Sequence, residues 1–100
     1  MGVVNPPFYR VLDPQNALSD ANGDYYHNGQ YNGRAYYRKQ GANGPDIYYY
    51  NNGANKWAVG FISYPGVGDY GYDPNDTSTP TPGNWPRAGQ AGNLTVTYYP

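Results

Sequence analysis

Five Asn-Gly dipeptides divide this chain, and they constrain its fold more than any other feature. They lie at residues 22–23, 28–29, 32–33, 43–44 and 52–53. A two-residue type I′ hairpin turn needs positive φ at both central positions, and Asn-Gly satisfies that need at low cost. Short aromatic runs separate the dipeptides, so their spacing predicts hairpins of short antiparallel strands.

Tyrosine supplies most of the apolar material for these strands. The chain of 100 residues has fourteen Tyr, two Phe, two Trp and no Cys, so disulfides and thiolate metal sites are excluded. Tyrosine favours strands, and no window repeats apolar residues at helical spacing. We predict an all-β fold: a small antiparallel β-sandwich or meander of about six to eight short strands, with little or no helix.

Alternation along two segments identifies candidate core faces. Period-2 alternation with one apolar side is typical of antiparallel strands that bury one face. The residues predicted to be buried are Trp57, Val59 and Phe61 in one segment, and Leu94, Val96 and Tyr98 in the other. A long proline- and threonine-rich loop precedes Trp85, and we expect that indole to pin the loop to the body of the fold.

The first twenty residues differ from the rest, so the predicted division is an N-terminal arm or edge strand (1–20) and a β-module (21–100). Residues 5–7, Asn-Pro-Pro, are stiff and extended, and residues 8–12 have strand character. Two interpretations stay open: an ordinary first strand of the sheet, or an arm that pairs with a neighbouring subunit. The second predicts that a chain lacking residues 1–12 keeps its β structure but fails to assemble.

The sequence offers little support for catalysis, nucleic-acid binding or membrane insertion. The only His, His27, lies beside a predicted turn and is expected to be exposed. The net charge is −1 and no basic run is present, which argues against a nucleic-acid partner. No stretch approaches the roughly 20 apolar residues of a membrane helix. We therefore expect no enzyme activity and no cofactor.

One loop contains oxygen-bearing side chains in the pattern of a weak calcium site. The candidate ligands are Asp69, Asp73, Asn75 and Asp76. Carboxylate and amide oxygens suit Ca²⁺, but the spacing is not that of an EF-hand. Asp-Pro-Asn-Asp is also a common solvated turn, and we favour the turn.

An aromatic binding surface is the remaining candidate site. Alternation along residues 47–50 turns either Ile47 and Tyr49 or Tyr48 and Tyr50 outward. Outward tyrosines either stabilise the sheet as cross-strand pairs or contact a ligand or subunit, because sugars and proteins both stack on such rings. The candidate contact residues are Phe8, Tyr9, Tyr48, Tyr50, Trp85 and Tyr99.

The segment from residue 21 to residue 89 resembles a small Tyr/Trp-rich β-module found in bacterial, phage and some eukaryotic surface or structural proteins. The resemblance is carried by Asn22-Gly23-Asp24-Tyr25, Gly29-Gln30-Tyr31-Asn32-Gly33-Arg34-Ala35-Tyr36-Tyr37, Ile47–Tyr50, Trp57-Ala58-Val59 and Pro82-Gly83-Asn84-Trp85. It implies a compact β-module without an assigned activity. Such modules usually occur in long multidomain chains, whereas here the module makes up nearly the whole sequence.

These observations predict a non-enzymatic structural subunit of a virion or filament, such as a phage decoration, tail or fibre component. We expect it to form a homo-oligomer or to dock onto neighbouring structural subunits, on a virion or an extracellular surface. The alternative is a carbohydrate-binding or adhesion module of a surface protein, with glycans as partners.

Overall fold

A computed structural model describes residues 6–15, 19–41, 44–51 and 55–100, and it is all-β, as the sequence predicts. The strands are β1 (Phe8–Leu12), β2 (Gly23–Tyr31), β3 (Arg34–Lys39), β4 (Asp46–Tyr50), β5 (Lys56–Gly60), β6 (Gly71–Tyr72), β7 (Gly83–Pro86) and β8 (Asn93–Tyr99). Within those residues the helical content is a single 3-10 turn at Ser19–Ala21. No helix in the described ranges is long and apolar enough to cross a membrane.

The strands form a meander that closes almost completely on itself. Their order is β6-β5-β4-β3-β2-β1-β8-β7, and every pair is antiparallel. The seam between β6 and β7 is joined by a bridge between Gly71 and Arg87 and by a 3.0 Å hydrogen bond from Ala88 N to Tyr70 O. A side chain at Gly71 would place its Cβ 2.9 Å from the Pro86 carbonyl oxygen, so this close approach requires glycine.

β1 is an interior strand, so the predicted edge position of residues 8–12 is wrong. Tyr9 lies opposite Tyr25 of β2 on one side and opposite Tyr98 of β8 on the other. Closure of the sheet brings β8 onto β1 and supplies this second partner. Residues 8–12 therefore have no free edge with which to pair with a neighbouring subunit, while residues 1–5 lie outside the described part of the chain.

The Asn-Gly dipeptides do not all form turns. The pair at 32–33 forms the two-residue turn between β2 and β3, with φ of 54° and 74°. The pair at 22–23 instead lies where β2 begins. The pair at 28–29 lies inside β2, at a register shift between residues 27 and 29 that marks a β-bulge. Residue 43 and residues 52–53 are outside the described residues.

Tyrosine and tryptophan rings dominate the interior of the closed sheet. The buried cluster contains Tyr9, Val11, Ala21, Tyr25, Ile47, Tyr49, Trp57, Val59, Trp85, Leu94 and Val96. Four of the six predicted core residues are confirmed, and two are wrong. Phe61 is only half-buried because β5 ends at Gly60, and Tyr98 is 41% exposed because it lies at the open end of β8.

Candidate functional site

One end of the closed sheet, where β1 begins and β8 ends, contains a recess of about 700 Å³. This volume is in the range of small-molecule and peptide sites. Its lining consists of Tyr9, Tyr26, Tyr37, Tyr98, His27, Pro6, Pro7, Pro80, Pro82 and Thr79. None of these is Asp, Glu, Lys or Arg. We refer to this feature as the tyrosine–proline recess.

A row of aromatic rings forms the floor of the tyrosine–proline recess. The ring centroids of Tyr98 and Tyr9 are 4.8 Å apart, and those of Tyr9 and Tyr37 are 4.9 Å apart. His27 continues the row, with its ring edge-on to Tyr37 at 6.0 Å. Tilted and edge-to-face contacts are the favoured geometries for aromatic pairs, and neighbouring strands hold each ring in place. The row is therefore a preorganised aromatic surface.

Residues 77–82 form a proline-containing strap that makes one wall of the recess. Both tryptophans hold this strap through their indole groups. Trp57 Nε1 donates to the Thr77 carbonyl at 2.8 Å, and Trp85 Nε1 donates to the Thr81 carbonyl at 2.8 Å. The prediction that Trp85 pins this loop to the body is confirmed, and Trp57 has the same role.

Tyr9 connects the ring row to the strap. Its hydroxyl donates to the Pro80 carbonyl at 3.3 Å, and its side chain is only 5% exposed. Burial raises the pKa of Tyr9 well above its usual value, and the nearby Tyr37 hydroxyl adds to the effect. Tyr9 thus remains a neutral hydrogen-bond donor across the physiological pH range.

A second group of tyrosine hydroxyls lies outside the sheet, beneath residues 61–70. Tyr48 OH donates to Asp69 Oδ1 at 2.9 Å, and Tyr72 OH donates to Asp69 Oδ2 at 2.8 Å. Burial, with the hydrogen bond to Asp69, raises the pKa of Tyr72 to about 12. Burial also raises the pKa of Tyr48. The Asp69 carboxylate therefore holds residues 61–70 to the sheet.

The four calcium candidates are not brought together as a metal site. Asp69 accepts two tyrosine hydroxyls, Asp73 accepts the Asn75 backbone N–H at 2.9 Å, and Asp76 accepts the Tyr49 hydroxyl at 2.7 Å. The described residues contain no group of three or more His, Cys, Asp or Glu side chains that could hold a metal ion. In the fold, the carboxylates of Asp69, Asp73 and Asp76 fix loops onto tyrosine hydroxyls and backbone.

The raised tyrosine pKa values predict alkaline unfolding. The pKa of Tyr72 is 10.0 in its ordinary state and about 12 in the fold, so the unfolded chain releases this proton first as pH rises. The resulting stability is complete below about pH 10 and is lost as pH rises through about 12. Urea denaturation at a series of pH values should show this decline.

Tyr72→Phe provides the control for this titration. The variant loses one hydrogen bond to Asp69 but has no phenol to ionise, so its stability should decline less steeply above about pH 10. A wild-type free energy of unfolding that stays constant from about pH 10 to pH 12 would contradict the argument.

Two of the predicted contact residues lie on the outer face of the sheet. Phe8 and Tyr99 stack with centroids 4.8 Å apart, and the Phe8 ring also contacts Tyr26 at 5.2 Å. Arg10 lies over the Tyr99 ring at 4.9 Å and pairs with Asp24 at 2.8 Å. These rings contact one another across strands, which is the stabilising alternative considered for outward aromatics.

The other predicted contact residues have different environments. Tyr9 lines the recess, whereas Trp85 is fully buried in the core. Ile47 and Tyr49 face the interior. Tyr48 points to the opposite face but is fully buried there beneath residues 61–70, and Tyr50 is half-buried. Outward direction therefore does not make Tyr48 available to a ligand.

Sequence reasoning missed most of the recess. Tyr37 is not among the predicted contact residues, Tyr98 is predicted to be buried, and His27 is predicted to be only an exposed turn residue. His27 is exposed, yet it lies in a strand and extends the ring row. The prolines near residue 6 and residue 80 line the recess together only because the fold brings both segments to the same end of the sheet, so no motif of consecutive residues indicates it.

Comparison with known proteins adds no assignment to this geometry. No family model, no curated protein and no solved structure matches the chain.

Proposed function

We propose that this protein is a non-enzymatic structural subunit of a virion or filament, and that it docks onto itself or a neighbouring subunit through the tyrosine–proline recess. The observation that carries the proposal is the uncharged ring row of Tyr98, Tyr9 and Tyr37 at an open end of the sheet. Tyrosine provides large contact area at low entropic cost, which suits a protein interface.

The N-terminal segment has a revised role in this proposal. Pro6 and Pro7 line the recess directly before β1 begins. They contribute to docking as a rigid wall because proline restricts the backbone. A strand exchanged between subunits is not needed, since β1 pairs on both sides within its own sheet.

A carbohydrate-binding or adhesion module is the second candidate. Tyr98 favours it, because this ring is 41% exposed at the recess and sugars stack on such faces. The described part of the lining is poor in the amide and carboxylate groups that would satisfy sugar hydroxyls, since its polar side chains are His27, Thr79 and the tyrosines. Protein docking therefore ranks first.

Sedimentation velocity over a wide concentration range tests the docking proposal. We expect the wild-type chain to form species larger than a monomer as its concentration rises. Tyr98→Ala should weaken this association by about tenfold or more, because an interface aromatic commonly contributes at least 1 kcal/mol. Near-ultraviolet circular dichroism should show that the variant remains folded.

Tyr64→Ala is the matched control. Tyr64 is 49% exposed, similar to Tyr98, but it lies in the connection between β5 and β6 at the opposite end of the sheet. The Tyr64→Ala variant should associate like the wild type. A wild-type chain that remains monomeric throughout would contradict self-association, and binding in a glycan array would favour the second candidate.

A further inference from the structure

We infer that the tyrosine–proline recess binds an uncharged, proline-rich segment of the partner in an extended polyproline II conformation. This inference rests on the proposed docking function and specifies the partner's chemistry. Its starting point is the strap, because the chain already binds one of its own proline-containing segments with the aromatic residues at this end of the sheet.

The strap contacts show how these aromatic residues recognise such a segment. Tyr9 OH donates to the Pro80 carbonyl, and the indole N–H groups of Trp57 and Trp85 donate to strap carbonyls. Each contact joins an aromatic side chain that carries one donor to a backbone carbonyl. Polyproline II segments leave their carbonyls free, since they have no internal hydrogen bonds.

The recess continues the interface between the tyrosines and the strap. Tyr9 contacts Pro80 on one side, and its ring contacts Tyr98 and Tyr37 on the other. The hydroxyl of Tyr98 forms no hydrogen bond with another residue in the described ranges, and its side chain is partly exposed. A second extended segment beside the strap would therefore contact aromatic ring faces. It would also meet the Tyr98 hydroxyl, which is a donor of the same kind as the Tyr9 hydroxyl that binds the Pro80 carbonyl.

The electrostatics of the recess select against a charged ligand. Among the described residues, no charged side chain lines the recess, and Tyr9 and Tyr37 are held neutral because burial raises their pKa values. An acidic or basic segment would lose solvation without gaining an opposite charge. An uncharged proline-rich segment loses little solvation free energy in the recess, because its rings are apolar. Its backbone also loses little entropy on binding.

Fluorescence anisotropy with a labelled, uncharged oligoproline peptide tests the inference at protein concentrations where the chain is monomeric. We expect saturable binding by the wild type, with Tyr98→Ala weakening it by about tenfold. Tyr98→Phe should retain ring stacking and much of the binding. Tyr64→Ala should bind like the wild type.

A second variant guards against loss of folding at Tyr98. Thr79→Arg introduces a long cation into the wall of the recess at an exposed residue, so it should block the peptide while the thermal unfolding midpoint stays near that of the wild type. A glycine- and serine-rich peptide of equal length serves as the ligand control and should not bind.

The outcomes separate this inference from the docking proposal. Self-association that depends on Tyr98, without any oligoproline binding, would overturn the inference and leave docking intact. Oligoproline binding that is unchanged by both recess variants would also overturn it, because the peptide would then bind elsewhere. Binding lost in both variants, in a chain that never self-associates, would support the inference and remove self-assembly from the proposed function.

Discussion

Replacing Trp57 by alanine is expected to lower the free energy of unfolding by about 3–5 kcal/mol. Trp57 is 1% exposed, and its ring packs edge-on against Tyr49 with centroids 5.4 Å apart. The substitution would leave a cavity and would also remove the indole donor to the Thr77 carbonyl. It therefore weakens both the core and the attachment of the strap.

Urea denaturation followed by far-ultraviolet circular dichroism measures this loss, and two further variants help to interpret it. Trp57→Phe keeps an aromatic ring but loses the indole hydrogen bond, so it should be destabilised less than Trp57→Ala. Tyr64→Ala alters an exposed aromatic and should change stability by less than about 1 kcal/mol. A loss below about 1 kcal/mol for Trp57→Ala would mean that Trp57 is not a core residue.

Deleting residues 1–12 is expected to abolish cooperative folding. The deletion removes β1 from the middle of the sheet, leaves β2 and β8 without their shared partner, and takes Tyr9 and Val11 from the core. The stability of a small domain is about 5–15 kcal/mol, so losing a central strand exceeds what this fold can tolerate. The arm interpretation predicts the opposite, a truncated chain that stays folded.

A matched pair of substitutions in β1 tests the same point without shortening the chain. Val11 is fully buried, whereas its neighbour Leu12 is 48% exposed. Val11→Asp should unfold the protein, because it places an unpaired carboxylate in the core, and Leu12→Asp should be tolerated. Amide chemical-shift dispersion distinguishes the two. A dispersed spectrum for Val11→Asp, or for the truncated chain, would restore the arm interpretation.

The sequence was sufficient to predict the fold class and part of the core. Alternation at Trp57 and Val59, and at Leu94 and Val96, reflects local backbone geometry, in which successive side chains point to opposite faces. The turn at Asn32-Gly33 depends on two adjacent residues, so it could also be predicted from the sequence. Asn28-Gly29 was misinterpreted because glycine in a strand can also mark a bulge.

The recess could not be predicted because it depends on contacts between distant segments. The pairing of Tyr9 with Tyr98 follows from closure of the sheet, which no local pattern specifies. The burial of Tyr48 depends on the connection at residues 61–70, which covers a face that alternation would leave exposed. Pro80 contributes to the site only because two indoles and Tyr9 hold the strap there.

Chemical-shift mapping with the oligoproline peptide tests the central claim most directly, that the tyrosine–proline recess binds a proline-rich segment. Spectra of uniformly labelled protein should show the largest peptide-induced changes at Tyr9, Tyr37 and Tyr98, with Tyr64 unaffected. Shifts concentrated on the outer-face rings of Phe8 and Tyr99, or an unchanged spectrum at saturating peptide, would contradict the claim.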